Sequence, residues 1–261
     1  MPARYSYQLY SARNHPPLET TLKKLSSLGY AEVEGFGGVY GEPEKLRAEL
    51  NLLGLTMPSG HFSIDMLEKE KKKVLKIASA LGMNKLVCPY LAADKRPKTA
   101  KGWKDFGKRL EALSQYYRAE GFGFAWHNHD FEFFPLKDGS TPHELMFSAA
   151  PTLDWEIDVA WVISAKSNPL KWIKAYAGAI TLAHVKDIAP AGKCVDEDGW
   201  ADVGHGTVKW KTMMEALRQT RCMHYIMEHD KPSDAERFAR RSIAAKIRHL
   251  RRVLPELLRE D

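Results

Sequence analysis

The chain has 261 residues, 44% of them hydrophobic and 28% charged, with a formal net charge of +6. That balance belongs to a soluble globular chain able to bury a substantial core, which excludes global disorder, and no apolar run approaches the roughly 18 to 20 residues that a membrane span needs. Cys88, Cys194 and Cys222 share no C-x-x-C spacing and cannot all pair, which argues against a disulfide framework or a cysteine zinc site.

The first strand is predicted at residues 5–10, followed by an amphipathic helix over 18–28 in which apolar residues recur three and four apart. The same alternation continues with a strand at 31–36 and a helix at 43–53, a strand at 56–62 and a helix at 67–81, then a strand at 85–90 and a helix at 103–119. Strands at 123–127, 153–158, 180–185 and 224–228 are followed by helices at 142–149, 169–177, 209–218 and 234–258, the last broken near Pro255. Gly29, Gly54, Gly82, Gly121 and Gly178 each sit between a helix and the next strand, where a left-handed helix terminus is wanted. Repeats of helix, glycine and strand predict parallel strands joined by helical crossovers, and eight such units can close into a barrel with no exposed edge. A doubly wound open sheet is the competitor, but no Gly-x-Gly-x-x-Gly follows any strand and no shift in composition marks a second domain. The expected architecture is therefore α/β, a single (β/α)8 TIM barrel domain over residues 1–261 with the terminal helix 234–258 packed on it.

The positive charge invites a nucleic-acid partner, yet much of it lies at 69–73 and 237–252, where it alternates with apolar residues at helical spacing and reads as solvated helix faces. No nucleic-acid or membrane partner is expected. Residues 1–13 lack the apolar stretch of a signal peptide, so a cytoplasmic protein is expected, with homo-oligomerisation left open.

In such a barrel the active site forms where the strands end, so polar residues closing strand runs carry the functional reading. Glu34 closes strand two, His61 strand three, and His127, Asn128 and His129 strand five, with Glu132 just beyond. Asp158 closes strand six, His184, Lys186 and Asp187 strand seven, and Glu228, His229 and Asp230 strand eight. One acid or histidine at a strand end is usually a cap or a satisfied polar group, but four neighbouring strands delivering acids and imidazoles to one mouth would repel one another unless a cation neutralises them. Glu132, Asp158, His184 and Glu228 form the expected ligand set for one divalent ion, Mn, Mg, Co or Zn, with His127 the rival to Glu132. The lack of cysteine in this set points to a catalytic site with open positions rather than a structural zinc.

Six motifs, in order, carry a resemblance: Gln8-Leu9-Tyr10-Ser11, Ser59-Gly60-His61, His127-Asn128-His129-Asp130-Phe131-Glu132-Phe133, Asp158-Val159-Ala160-Trp161, His184-Val185-Lys186-Asp187 and Gly204-His205-Gly206. Together they span nearly the whole chain and resemble the sugar phosphate isomerase/epimerase family, within the xylose isomerase-like TIM barrels whose relatives include endonuclease IV, inosose dehydratases and ketose 3-epimerases. The resemblance implies a metal held from strands five to eight, which matches Asp158, His184 and Glu228. It departs at strand five: ketose 3-epimerases place a glutamate there and work with a glutamate pair, whereas this chain has His127-Asn128-His129.

The expected chemistry is proton abstraction beside a metal-polarised carbonyl of a keto-sugar or polyol, giving isomerisation or epimerisation, with elimination from an inosose or 3-keto-glycoside as the alternative. His129 or His127 is the expected base, because imidazole titrates near neutral pH. Lys186 is expected to hold an oxyanion or phosphate. Glu34, His61, Trp161 and Asp187 are the candidate substrate contacts, and the glycine-rich loop 189–206 is a candidate lid. An abasic-site endonuclease would need further ligands from strands two to four, where only Glu34 and His61 are available. A non-catalytic sugar-binding module would have to tolerate the charged cluster unneutralised.

Overall fold

All eight predicted strands form, and each pairs in parallel with its two neighbours. In the computed structural model, which describes residues 4–253, they are β1 (Arg4–Gln8), β2 (Glu32–Gly35), β3 (Thr56–His61), β4 (Lys85–Cys88), β5 (Gly123–His127), β6 (Asp154–Asp158), β7 (Ile180–Val185) and β8 (His224–Met227). They close in sequence order, with β8 pairing back onto β1 through the register Tyr5 to Tyr225 and Ser6 to Ile226. The chain is a TIM barrel.

Among the described residues ten α-helices form the outer layer: α1 (Leu18–Ser27), α2 (Pro43–Leu52), α3 (Ile64–Lys69), α4 (Lys71–Leu81), α5 (Ala100–Ala119), α6 (Pro142–Ser148), α7 (Val159–Ser164), α8 (Pro169–Ala175), α9 (Trp210–Leu217) and α10 (Ala235–Val253). The helix expected at 67–81 is two helices. Ser63 Oγ accepts from the Met66 amide and starts α3 early, and Glu70, at φ −120°, breaks the run before α4. The pattern missed α7 because it begins inside a motif read for chemistry: Asp158 ends β6 and at once caps α7, its Oδ1 accepting from Trp161 N at 2.9 Å. Four of the five helix-ending glycines have positive φ, between 68° and 89°, while Gly178 does not. The α10 helix packs against β1, where Phe238 lies 5.5 Å from Tyr7 and Tyr30 Oη donates to Ala239 O at 3.0 Å. The rest of the expected terminal helix, with its break at Pro255, lies outside the described residues. No helix among the described residues is long and apolar enough to cross a membrane.

Strand side chains alternate between the helix layer and the barrel interior. On β6, Trp155 and Ile157 face the helices and Asp154, Glu156 and Asp158 face inward; on β2, Val33 faces out and Glu32 and Glu34 face in. The outward residues join one large buried core, where each fully buried large side chain contributes about 1.5–3 kcal/mol. Inside the barrel a small separate apolar layer, Val87, Ala125, Leu182 and Ile226, is all that interrupts the polar column.

Candidate functional site

The inward polar residues meet at the C-terminal end of the barrel around Glu156. Its Oε2 accepts from His61 Nε2 at 2.7 Å and His127 Nδ1 at 3.0 Å and lies 3.2 Å from His184 Nε2, while Oε1 has no hydrogen-bond partner. His184 is bonded on both sides, Nδ1 to Glu228 Oε2 at 2.8 Å and Nε2 to Glu34 Oε1 at 2.8 Å. All these side chains are buried. Burial alone would lower the His184 and His61 pKa values, but the facing carboxylates outweigh it: His61 is raised to about 9 by Glu34 and Glu156, and His184 well above its ordinary value by Glu156 and Glu228. His127 is lowered, by burial and then by the charge on His184.

A second layer lies beside it. Lys186 Nζ stands 2.8 Å from Asp230 Oδ2, 2.9 Å from Glu228 Oε2 and 3.3 Å from Asp158 Oδ2, and between the rings of Trp200 and Trp161 at 4.8 and 5.1 Å. Burial opposes its charge, but the three carboxylates raise its pKa, so it stays an ammonium. Five carboxyl groups, Glu34, Glu156, Asp158, Glu228 and Asp230, thus face one ammonium and three imidazoles, and with Lys186, His61 and His184 as the three cations and His127 neutral, two negative charges are left over.

Two four-residue groups have donor atoms within 4.8 Å of one another: His127, Asp158, His184 and Glu228, and, deeper, His61, His127, Glu156 and His184. Each group has one unpartnered carboxylate oxygen, but the first fits a divalent ion better, because it holds two carboxylates against one and Glu228 carries it to the cavity. It offers two imidazoles and two carboxylates from four consecutive strands, and Asp158 Oδ2 there has no hydrogen-bond partner. Two nitrogen donors suit Mn, Co or Zn more than Mg, which prefers oxygen.

Above this floor opens a cavity of about 680 Å³, reached by His61, His127, His129, Glu228 and Asp230 from below and by Tyr10, Phe36, Tyr90 and Trp161 at its walls. His129 Nδ1 has no partner, and burial, then the neighbouring His127, holds its pKa well below the usual imidazole range.

Sequence comparison supplies the deciding observation: residues 22–253 match the family described as xylose isomerase-like TIM barrel. The chain belongs to that family. No curated protein matches it by sequence. Among solved structures it is similar to a sugar phosphate isomerase/epimerase from Parabacteroides distasonis, with 18% identity, a TM-score of 0.77, and 94% of this chain and 93% of that one covered. It is also similar to the probable 3-DHS dehydratase AsbF of Bacillus anthracis, at 15% identity and a TM-score of 0.75 over 94% and 98% of the two chains. A third, the IOLI protein with a bound zinc atom, has 13% identity and a TM-score of 0.74 over 95% and 98%. At these identities the likeness is one of fold.

Within this xylose isomerase-like barrel, the structure brings Asp158, His184 and Glu228 together with His127, the rival for the fourth position, and not with Glu132. Glu132 lies outside the cluster: its Oε1 accepts from Trp126 Nε1 and its Oε2 from His129 N, both at 3.0 Å, and burial pushes its carboxyl up to about 8. His127 stands in its place because it is on the strand and points inward, whereas Glu132 folds back to brace the loop. Lys186 is also placed differently. Its Nζ donates to Asp230 Oδ2, pairs with Glu228 and Asp158, and does not line the cavity. Asp187 is a loop brace, its oxygens accepting from the amides of Ile188, Gly204, Gly206 and Val208 at 2.9–3.2 Å. Glu34 lies below the imidazoles, bonded to Gln8, Ser59 and His184, and does not reach the cavity. His61 and Trp161 do line it. The candidate lid 189–206 is fastened down: Asp187–Ile188 pairs with Trp200–Ala201 as a small ribbon, and Arg237 of α10 holds Glu197 and Asp202 at 2.6 and 2.9 Å. Reading strand ends overlooked Glu156, which the alternation of Asp154, Glu156 and Asp158 along β6 would have flagged.

Proposed function

We propose that the protein is a metal-dependent sugar isomerase or epimerase that moves a proton at a carbon next to the carbonyl of a keto-sugar or keto-polyol. The observation that carries this reading is the convergence of His127, Asp158, His184 and Glu228 directly beneath a cavity of about 680 Å³ that His127 and Glu228 line, with an uncharged imidazole, His129, beside them. His127, Asp158, His184 and Glu228 would hold a divalent cation, which when bound would supply Lewis-acid polarisation of a carbonyl. His129 is the base. It lines the cavity and its Nδ1 is uncommitted, whereas His61 is held protonated by Glu34 and Glu156, His184 and His127 would be occupied by the metal, and Lys186 is locked as an ammonium. Lys186 fixes Asp158, Glu228 and Asp230 in place, and Trp161 walls the reacting centre from water. Asn128 sets the end of β6, accepting from the Asp158 amide and from Trp155 Nε1 at 2.9 Å and donating to Asp158 O at 3.1 Å. A manganese-loaded enzyme of carbohydrate metabolism is the form proposed.

One observation favours a second outcome of the same enolisation. A single uncommitted base suits β-elimination from an inosose or 3-keto-glycoside, which needs proton removal on one face only, whereas epimerisation returns the proton to the opposite face. Incubating metal-loaded protein with keto-sugars, inososes and 3-keto-glycosides in deuterium oxide tests both. Deuterium at the carbon next to the carbonyl in a recovered sugar supports isomerase or epimerase chemistry, and loss of water or of the glycosidic group supports elimination. No exchange and no product from any of the panel contradicts the proposal.

A further inference from the structure

Resting on the reading of this cavity as a sugar site, we infer that the sugar it takes is unphosphorylated and carries a second ring or aryl group, which stacks on the aromatic rim. The size is the first observation: about 680 Å³ sits in the middle of the roughly 300–1,000 Å³ range that encloses drug-sized ligands, more than one six-carbon sugar fills. Charge is the second. Among the described lining residues Lys95 is the single lysine or arginine, and its Nζ is bonded to Asp65 Oδ2 at 2.6 Å. Three acids, Asp65, Glu228 and Asp230, line the same space and the His61 ring is committed to Glu34 and Glu156, so away from the proposed ion at the floor a phosphate dianion meets carboxylates and no uncommitted side-chain cation. Helix termini offer no substitute. The α3 helix begins at the cavity with Ser63 Oγ on its Met66 amide and Asp65 in its first turn, so its positive end is answered within the chain. Arg13 and Arg96 do not line the cavity and are committed to the chain: Arg13 lies over Tyr10 at 3.8 Å and donates to the Tyr10 and Asp230 carbonyls, and Arg96 lies over Phe131 at 3.6 Å and donates to Leu91 O and Tyr90 Oη.

The rim itself is the third observation. Tyr10 and Tyr90 are 37% and 45% exposed, large apolar side chains left in water at the cavity mouth, and Phe36 meets Tyr10 edge to face at 5.4 Å. Exposed rings around a pocket whose floor is polar match a ligand with a hydroxylated end and an apolar or ring-shaped one. The polar sugar then meets the imidazoles and carboxylates below, and the second ring lies between Tyr10 and Tyr90.

Calorimetric titration of the full-length chain with the phenyl glycosides, methyl glycosides and 6-phosphates of glucose and galactose tests this without requiring turnover. The expected result is a phenyl glycoside bound at least about tenfold more tightly than its methyl counterpart and than the 6-phosphate. In a Tyr10→Ala/Tyr90→Ala double variant that ratio falls to near one, while Tyr10→Phe/Tyr90→Phe, which keeps the rings, preserves it. A 6-phosphate that binds as tightly as the phenyl glycoside, or an alanine variant that keeps the tenfold ratio, overturns this inference and leaves the proposed chemistry standing. Failure of every sugar to bind contradicts the sugar-site reading on which it rests.

Discussion

Glu156 gathers three imidazole nitrogens onto one carboxylate oxygen deep in the barrel, an arrangement that removing any one partner would unbalance. Burial raises its carboxyl pKa, but the charges on His184 and then His61 outweigh this and hold it well below the ordinary range, so it is a carboxylate by virtue of its neighbours. Glu156→Ala takes away the one carboxylate that His61, His127 and His184 share, leaving Glu34 and Glu228 to answer the buried rings, and the expected loss is about 3 kcal/mol of stability, read from denaturant unfolding. A change below about 1 kcal/mol would mean that the network contributes little. His129 makes a contrasting case, because nothing in the fold depends on its uncommitted nitrogen. His129→Gln is expected to lower turnover by about 10²- to 10⁴-fold while metal content stays at the wild-type level, which a purely structural role would not produce. At this scale the sequence was partly legible. Residue type and strand position pointed to Asp158, His184 and Glu228, but the choice between His127 and Glu132 turned on which way a loop folds back, and Glu132 is drawn off by the Trp126 indole and the His129 amide, contacts that spacing does not reveal.

Helix α6 illustrates how an element hides a titratable group. His143 is fully buried among Phe133, Phe147, Trp155, Trp172 and Tyr176, with no hydrogen-bond partner on either ring nitrogen, and burial lowers its pKa to about 3. The unfolded imidazole titrates near 6.5, so between about pH 6.5 and 3 unfolding takes up a proton and stability falls as pH falls, by about 1.4 kcal/mol per unit. His143→Phe removes this component, and its unfolding free energy is expected to decline less steeply than that of wild type between pH 6 and 4. Parallel curves would show that His143 is not buried as a neutral ring. Strands and long helices were readable from period and glycine punctuation, and residues 123–127 and 180–185 coincide with β5 and β7. The elements that escaped were those whose cue is a single side chain rather than a period: α7, started by the Asp158 cap, and the ribbon that Asp187 and Arg237 hold in place. Inward polarity was also underused. Parallel barrel strands ordinarily read as apolar runs, and Glu32 with Glu34 on β2, or Asp154, Glu156 and Asp158 on β6, mark an interior built for chemistry rather than packing.

For the molecule as a whole, closure of the barrel is what turns scattered strand-end residues into one site: residues more than a hundred positions apart, such as Glu34 and His184, come within 2.8 Å because β1 and β8 join. The net charge of +6 does not describe this region, where carboxyl groups outnumber the cations that answer them and Lys186 alone cannot restore balance. A divalent ion in the upper quartet is the step that reconciles the fold, the charge and the proposed chemistry. Loading the purified chain with manganese or zinc, counting the metal per chain and locating it by anomalous diffraction tests this most directly. One ion within about 2.0–2.3 Å of His127, Asp158, His184 and Glu228, with Glu132 still bonded to Trp126, is the predicted result. A chain that binds no divalent ion, or holds it away from those four side chains, contradicts the account.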